Sequence, residues 1–119
     1  MPGRGLLITN VQGVTVARLQ IASLLEEQAI DEVAKGLYEL VDAKACRKLV
    51  VDFSSVSHMA SRMLGALVSL NKKARQINGK VILCGIRPNL MKVFKITSLD
   101  KILDFAADET GAMRQFTWK

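Results

Sequence analysis

Few residues of this chain have the types and spacing that chemistry requires. The sequence has one histidine and two cysteines, whereas a structural zinc site takes four nitrogen or sulfur ligands. Asp52, His58 and Ser61 form a Ser/His/Asp set that is close together in sequence. A hydrolytic triad needs an imidazole between nucleophile and carboxylate, and no Gly-x-Ser-x-Gly segment surrounds Ser61. We therefore expect no hydrolase activity.

Phosphate-binding and metal-binding patterns are equally weak. Gly3-Arg4-Gly5 neither follows a strand pattern nor opens a helix, and no Gly-x-x-x-x-Gly-Lys-Ser/Thr segment occurs. Asp52 could bind Mg²⁺, but with no second carboxylate near it in sequence we expect it to bond nearby loop amides. Cys46 and Cys84 are expected to be inert thiols. The sequence thus predicts no cofactor, no metal and no enzyme.

The composition is typical of one small domain over residues 1–119. Half of the 119 residues are hydrophobic and 24% are charged, which is enough to build one core. No apolar run has the length of a spanning helix, and the start of the chain has no signal-peptide pattern. We expect a cytoplasmic protein without a membrane partner.

The net charge of +6 is weak evidence that the protein binds nucleic acid. The cations are spread along the sequence without a run of five, and few aromatic residues stand among them. Binding to nucleic acid would require a concentrated stripe or a stacking platform. We expect no nucleic-acid partner; an acidic protein partner or an ordinary solvated surface fits better.

Hydrophobic periodicity predicts the elements that position these residues. One amphipathic helix is indicated by apolar residues spaced at helical intervals: Ile30, Val33, Ala34, Leu37, Leu40 and Val41. The predicted order is a hairpin at 6–11 and 14–19, helix 27–42, strand 48–53, helix 61–77, strand 80–84, helix 89–96, a possible edge strand 101–105 and helix 108–116.

This order predicts the α/β class. Strand-helix-strand units impose parallel pairing through right-handed crossovers. We therefore expect a mixed sheet of four or five strands with the helices packed mainly on one face. Helices 27–42 and 61–77 should share that face, because both have an apolar stripe to cover.

One segment of the chain is similar to a known protein family. Its sequence is Val50-Val51-Asp52-Phe53-Ser54-Ser55-Val56-Ser57-His58-Met59-Ala60-Ser61-Arg62-Met63-Leu64-Gly65-Ala66-Leu67. This segment resembles the central signature of the STAS domain, the family of bacterial anti-sigma factor antagonists. In that family a strand ending in Asp leads to an Asp-Ser-Ser/Thr-Gly-Leu-Gly turn that opens a helix. Residues 78–88 and 93–102 are similar to later segments of the family, so the resemblance covers residues 48–105.

The resemblance implies a role for Ser61, which stands where the family is phosphorylated by a kinase-type anti-sigma factor. Ala60 stands where the family usually has Asp, Arg62 at a small-residue position and Met63 where Gly is usual. Glu26 matches the acidic position of an earlier turn of the family. A STAS-like fold, this serine-kinase partner and no cofactor are thus implied.

The position of Ser61 has physical consequences that do not depend on the resemblance. A serine before a helical pattern is expected to be an N-cap. A phosphoryl group there would meet free N–H groups and the positive end of the helix dipole, with Arg62 adjacent. It would add negative charge to an apolar surface that we expect to be exposed around Met59, Met63 and Leu64. These residues, with Arg62 and Glu26, are the predicted partner contacts.

Three functions remain open from the sequence. The first is an anti-sigma factor antagonist, a regulator of transcription that is switched off by phosphorylation of Ser61. The second is a STAS scaffold that self-associates in a signalling complex and is not phosphorylated. The third is an accessory module for a small ligand or for lipid transport.

Overall fold

The computed structural model describes residues 5–117, so Gly3 and Arg4 of the first glycine pattern lie outside the described residues. The strands are β1 Leu6–Val11, β2 Val14–Leu19, β3 Ser23–Leu24, β4 Lys48–Asp52, β5 His58–Met59, β6 Lys80–Cys84 and β7 Asp104–Ala106. The helices are α1 Glu27–Asp42, α2 Ser61–Gln76, α3 Pro88–Ile96 and α4 Glu109–Thr117.

The main sheet has five strands in the order β1-β2-β4-β6-β7. β1 and β2 are antiparallel, and the other neighbours in this sheet are parallel. The hairpin turns at Gln12 and Gly13, both with positive φ, which matches the right-handed twist of its strands. The predicted mixed α/β sheet is confirmed.

α1 and α2 pack against each other on the same face of the sheet, as predicted. The residues that α1 buries are those of the predicted stripe: Ile30, Val33, Ala34, Leu37, Leu40 and Val41. α3 adds Leu90 and Phe94 to this core. α4 covers the other face, where a smaller apolar cluster contains Val50, Ile82 and Ala112. Alternate strand residues therefore serve the two faces.

Two local features differ from what the sequence predicts. Where an edge strand was predicted over 101–105, the chain forms a 3₁₀ turn at Leu99–Lys101 and then β7. The turn forms because the Ile102 and Leu103 N–H groups both donate to the Leu99 carbonyl. The short strands β3 and β5 were not predicted. Two residues are too few to show an alternating pattern, yet this parallel pair positions the starts of α1 and α2.

Candidate functional site

The candidate site lies at the edge of the sheet where the parallel strands end. β3 pairs with β5 so that Leu24 lies opposite Met59. The Ala60 N–H also donates to the Leu24 carbonyl at 2.8 Å. Glu26 and Ser61 each follow these paired residues by two positions, and both are exposed. The pairing therefore places the first turns of α1 and α2 side by side.

Asp52 holds the loop between β4 and β5. The Ser54 N–H donates to its Oδ1 at 2.8 Å, so the predicted bonding of Asp52 to a loop amide is confirmed. Gly85 lies against this turn with φ +69°, and a Cβ there would be 2.7 Å from Asp52 Oδ1. Glycine is required at this position by conformation and by space.

The segment before α3 fixes the other side of the same loop. Arg87 Nη2 donates to the Ser54 carbonyl at 3.2 Å, and Asn89 Nδ2 donates to the Ser57 carbonyl at 3.1 Å. Arg87 and Asn89 were not predicted as site residues. Their partners lie more than 30 positions away in sequence, beyond the reach of any local pattern.

Ser61 is the first helical residue of α2 and not its cap. The N-cap position belongs to Ala60, which has extended φ and ψ, and no side chain caps this helix end. The N-cap prediction for Ser61 is therefore wrong: a capping residue must keep a non-helical backbone, and at Ser61 the helix has already begun. Its hydroxyl group is on an exposed residue at the positive end of α2.

The expected exposed apolar surface is wrong for Met63 and Leu64. Their side chains are 0% and 6% exposed and belong to the main core. Successive helix residues rotate by about 100°, so the positions after exposed Ser61 and Arg62 turn toward the sheet. Met59 is half-buried and packs against that core. Met63 and Leu64 therefore support the site from beneath.

Arg62 links α2 to α1. Its Nη2 donates to Asp31 Oδ1 at 3.0 Å and lies 3.3 Å from Glu27 Oε2. The hydrogen bond to Asp31 raises the pKa of the Arg62 guanidinium, which stays charged. Neither carboxylate was predicted as a site residue, because a contact between two helices leaves no trace in the periodicity of either one.

A groove of about 420 Å³ runs between α1 and α2 from Arg62. Gly65 and Ser69 lie along it, and with Ser61 they form an exposed stripe with a spacing of four residues. A Cβ at Gly65 would have no heavy atom within 4 Å. Packing within this chain therefore does not require glycine there.

Asp52 belongs to a charged cluster on the α4 face. Arg18 donates from Nε and Nη2 to the two carboxylate oxygens of Glu109 at 2.6 and 2.9 Å. These bonds lower the pKa of Glu109 to about 2, whereas burial raises the pKa of Asp52. α2 lies on the opposite face, so the fold does not assemble Asp52 and Ser61 into a triad.

Residues 5–117 contain neither a metal-binding cluster nor a membrane-spanning helix. No group of three or more His, Cys, Asp or Glu side chains there could hold a metal ion. In the same part of the chain no helix combines the length and apolar character needed to cross a membrane. The chemistry at the site is thus that of an exposed serine, paired charges and a groove.

A match to a protein-family model identifies the domain that contains this edge of the sheet. The STAS domain model matches residues 7–112, which include all the elements of the site. The chain belongs to the STAS domain family. Recognition of that family from residues 48–105 is therefore confirmed.

Two relatives of this STAS chain are named as antagonists of anti-sigma factors. BtrV of Bordetella bronchiseptica, named an anti-sigma factor antagonist, is 28% identical over 94% of this chain and 87% of its own length. The anti-sigma-B factor antagonist of Listeria monocytogenes is 30% identical over 71% of this chain and 73% of its own.

Solved structures show the same fold at lower identity. An anti-sigma factor antagonist from Mycobacterium paratuberculosis has a TM-score of 0.81 at 20% identity, covering 92% of this STAS chain and 91% of that one. Phosphorylated SpoIIAA of Bacillus has a TM-score of 0.70 at 20% identity, covering 92% and 98%. A stressosome chain has a TM-score of 0.67 at 18% identity, covering 92% and 94%.

Proposed function

We propose that this STAS chain is an anti-sigma factor antagonist that regulates transcription by binding a kinase-type anti-sigma factor. The partner docks on the edge formed by the first turns of α1 and α2, and phosphorylation of Ser61 releases it. The observation that carries the proposal is the placement of Ser61, which is exposed at the start of α2 and directly precedes Arg62, a residue that lines the groove. The names of its relatives support the same class of partner. The protein acts by binding and not by catalysis.

A phosphoryl group on Ser61 changes the charge balance of this edge. The first turn of α2 has no acidic residue, so its N–H groups and dipole favour the added negative charge. The phosphoryl group also competes with Asp31 and Glu27 for Arg62, which both carboxylates now contact. A rearranged Arg62 alters the surface that the partner reads on both helices. A penalty of about 3 kcal/mol lowers affinity more than a hundredfold.

The contact residues divide into those that touch the partner and those that support them. Glu26 and Arg62 are exposed and Met59 is half-buried, so these three remain proposed contacts. Gly65 joins them, because the open space above it allows the partner's backbone to approach closely.

The scaffold function is the second candidate, and a chain of the stressosome, a signalling assembly, shares the fold. Ala60, Arg62 and Met63 depart from the family's phosphorylation turn, which suits a chain that is not phosphorylated. Such a chain self-associates at micromolar concentration. We also propose that the protein acts in the cytoplasm.

Incubation with a serine-kinase-type anti-sigma factor of the same organism tests the proposal. With ATP, mass spectrometry should locate one phosphate on Ser61, and calorimetry should show binding before but not after the reaction. The Ser61→Ala variant should bind without being modified. A complex that forms equally well before and after phosphorylation contradicts the switch. Micromolar oligomers with no kinase binding favour the scaffold.

A further inference from the structure

A second charged surface lies at the opposite edge of the sheet, where β4 and β6 begin. Lys48 and Lys80 are the first residues of these strands and lie directly opposite each other in the parallel register. Both are exposed. Neighbouring strands are about 4.8 Å apart, and like charges placed opposite each other destabilise a sheet. Fold stability therefore does not explain this pair.

The backbone around the pair is rigidly built. The Lys80 N–H donates to the Arg47 carbonyl at 2.7 Å, which joins the α2–β6 turn to the α1–β4 loop. A Cβ on Gly79 would lie 2.8 Å from both the Cα and the carbonyl oxygen of Arg47. Glycine is thus required for this close approach, which brings the backbones of Arg47 and Lys80 together.

These residues line a cleft of about 390 Å³ at the end of α4. Its walls are Arg47, Lys48, Asn78, Gly79, Lys80 and Phe116. Among residues 5–117, carboxylates form ion pairs with Arg18, Arg62 and Lys73 but not with Arg47, Lys48 or Lys80. The half-buried Phe116 gives the cleft an apolar side. We refer to this site as the basic cleft.

We propose that the basic cleft binds an acidic polypeptide segment of a second protein partner. Charge complementarity selects an anionic ligand, because Arg47, Lys48 and Lys80 line the cleft and form no ion pair among residues 5–117. A single, partly covered ring is not the platform on which nucleic-acid bases stack in succession. Carboxylates beside a short apolar side chain match the cations and Phe116. The basic cleft and Ser61 lie at opposite edges, so both partners can bind at once.

Binding of a fluorescein-labelled Glu-Glu-Leu-Glu-Glu peptide to the full chain, followed by anisotropy at low salt, tests the proposal. Lys48→Glu/Lys80→Glu should raise the peptide Kd about tenfold, because two attractive contacts become repulsive. Lys92→Glu/Lys95→Glu is the matched control: it alters the net charge equally, at exposed positions of α3, and should change Kd less than about twofold. Lys48→Gln/Lys80→Gln replaces the Glu double variant if charge reversal disturbs folding. It should give an intermediate loss of peptide affinity.

Three results would overturn the proposal. Equal losses in the two Glu double variants would mean that the peptide senses net charge alone. No binding by the unaltered chain would make the basic cleft an ordinary solvated surface. A thymidine oligonucleotide with the same charge as the peptide could bind more tightly than the peptide. If Lys48→Glu/Lys80→Glu abolished that binding, the basic cleft would be a nucleic-acid site. None of these results bears on Ser61, so the proposed function is tested separately.

Discussion

Arg62 in the first turn of α2 and Asp31 in the second turn of α1 are joined by two hydrogen bonds to one oxygen, with Nη2 and Nε donating to Oδ1 at 3.0 and 3.2 Å. Both side chains are about half exposed, so the pair contributes little to stability. Its effect is geometric, because Arg62 is the neighbour of Ser61. The proposed phosphoryl group on Ser61 would therefore stand beside the side chain that links α2 to α1.

Substitutions at Ser61 should separate stability from binding. Ser61→Ala should leave the free energy of unfolding within about 0.5 kcal/mol, because no side chain caps α2. Ser61→Asp should stabilise the fold by about 0.3–1 kcal/mol through the helix dipole, yet weaken binding to the anti-sigma factor. Urea unfolding and calorimetry measure the two effects.

Ser98→Asp is the control for Ser61→Asp, since it adds the same charge at an exposed residue after α3. It should leave partner affinity unchanged. Equal affinities of Ser61→Asp and Ser61→Ala, at matched folding, would rule out the switch.

Gly65→Ala should raise the stability of the fold and lower the affinity for the proposed partner. Alanine is favoured over glycine inside a helix by about 0.5–1 kcal/mol, and the added methyl group meets no atom within 4 Å. The same methyl group should obstruct the partner's approach and lower its affinity. Thermal unfolding and calorimetry give the two values.

Gly111→Ala is the matched change in α4, where the nearest atom to the new Cβ is at 3.4 Å. It should stabilise by a similar or smaller amount without affecting the partner, because α4 lies on the other face. If Gly65→Ala binds as well as Gly111→Ala, the groove is not the docking surface.

Acid should weaken the contact between α4 and the sheet through Glu109. Arg18 lowers the pKa of Glu109 from 4.5 to about 2. A carboxyl whose folded-state pKa is lowered stabilises the fold above its unfolded value, and this stabilisation is lost as the pH falls through the folded value. The urea midpoint should therefore fall between about pH 4.5 and pH 2, and Glu109→Gln should flatten this dependence.

Protonation of Asp52 partly offsets the fall in the urea midpoint at acid pH. Burial raises the pKa of Asp52, so the folded state favours the neutral carboxyl. Glu39→Gln, on the exposed side of α1, is the control and should keep the acid dependence of the unaltered chain. An unchanged slope in Glu109→Gln would show that the Arg18 contact does not stabilise the fold.

Gly85→Ala should be severely destabilising, by about 2–4 kcal/mol. Its Cβ would meet Asp52 Oδ1 at 2.7 Å and the Ser54 nitrogen at 3.0 Å. Gly13→Ala shares the positive φ but has nothing within 4 Å, so it should cost about 1–2 kcal/mol. Chemical unfolding of both variants isolates the Asp52 contact; equal losses would mean that backbone strain alone accounts for the effect.

The order of elements and the shared face of α1 and α2 could be predicted from the sequence. The apolar residues from Ile30 to Val41 repeat at the helical period, and this period directly specifies which side of α1 is buried. The family and the position of Ser61 also follow from local sequence, because the STAS signature is nearly contiguous.

Tertiary structure decided the rest of the site. The sequence predicted a helix from residue 61, but Ser61 is not its cap: Ala60, bonded to the Leu24 carbonyl, keeps an extended backbone and occupies the N-cap position. Met63 is buried because α2 packs against the sheet on that side. Arg62 meets Asp31 across two helices. Lys48 and Lys80 appear scattered in the sequence, yet the register of β4 and β6 makes them neighbours. Contacts between distant residues depend on strand register and helix packing, which local sequence periods do not encode.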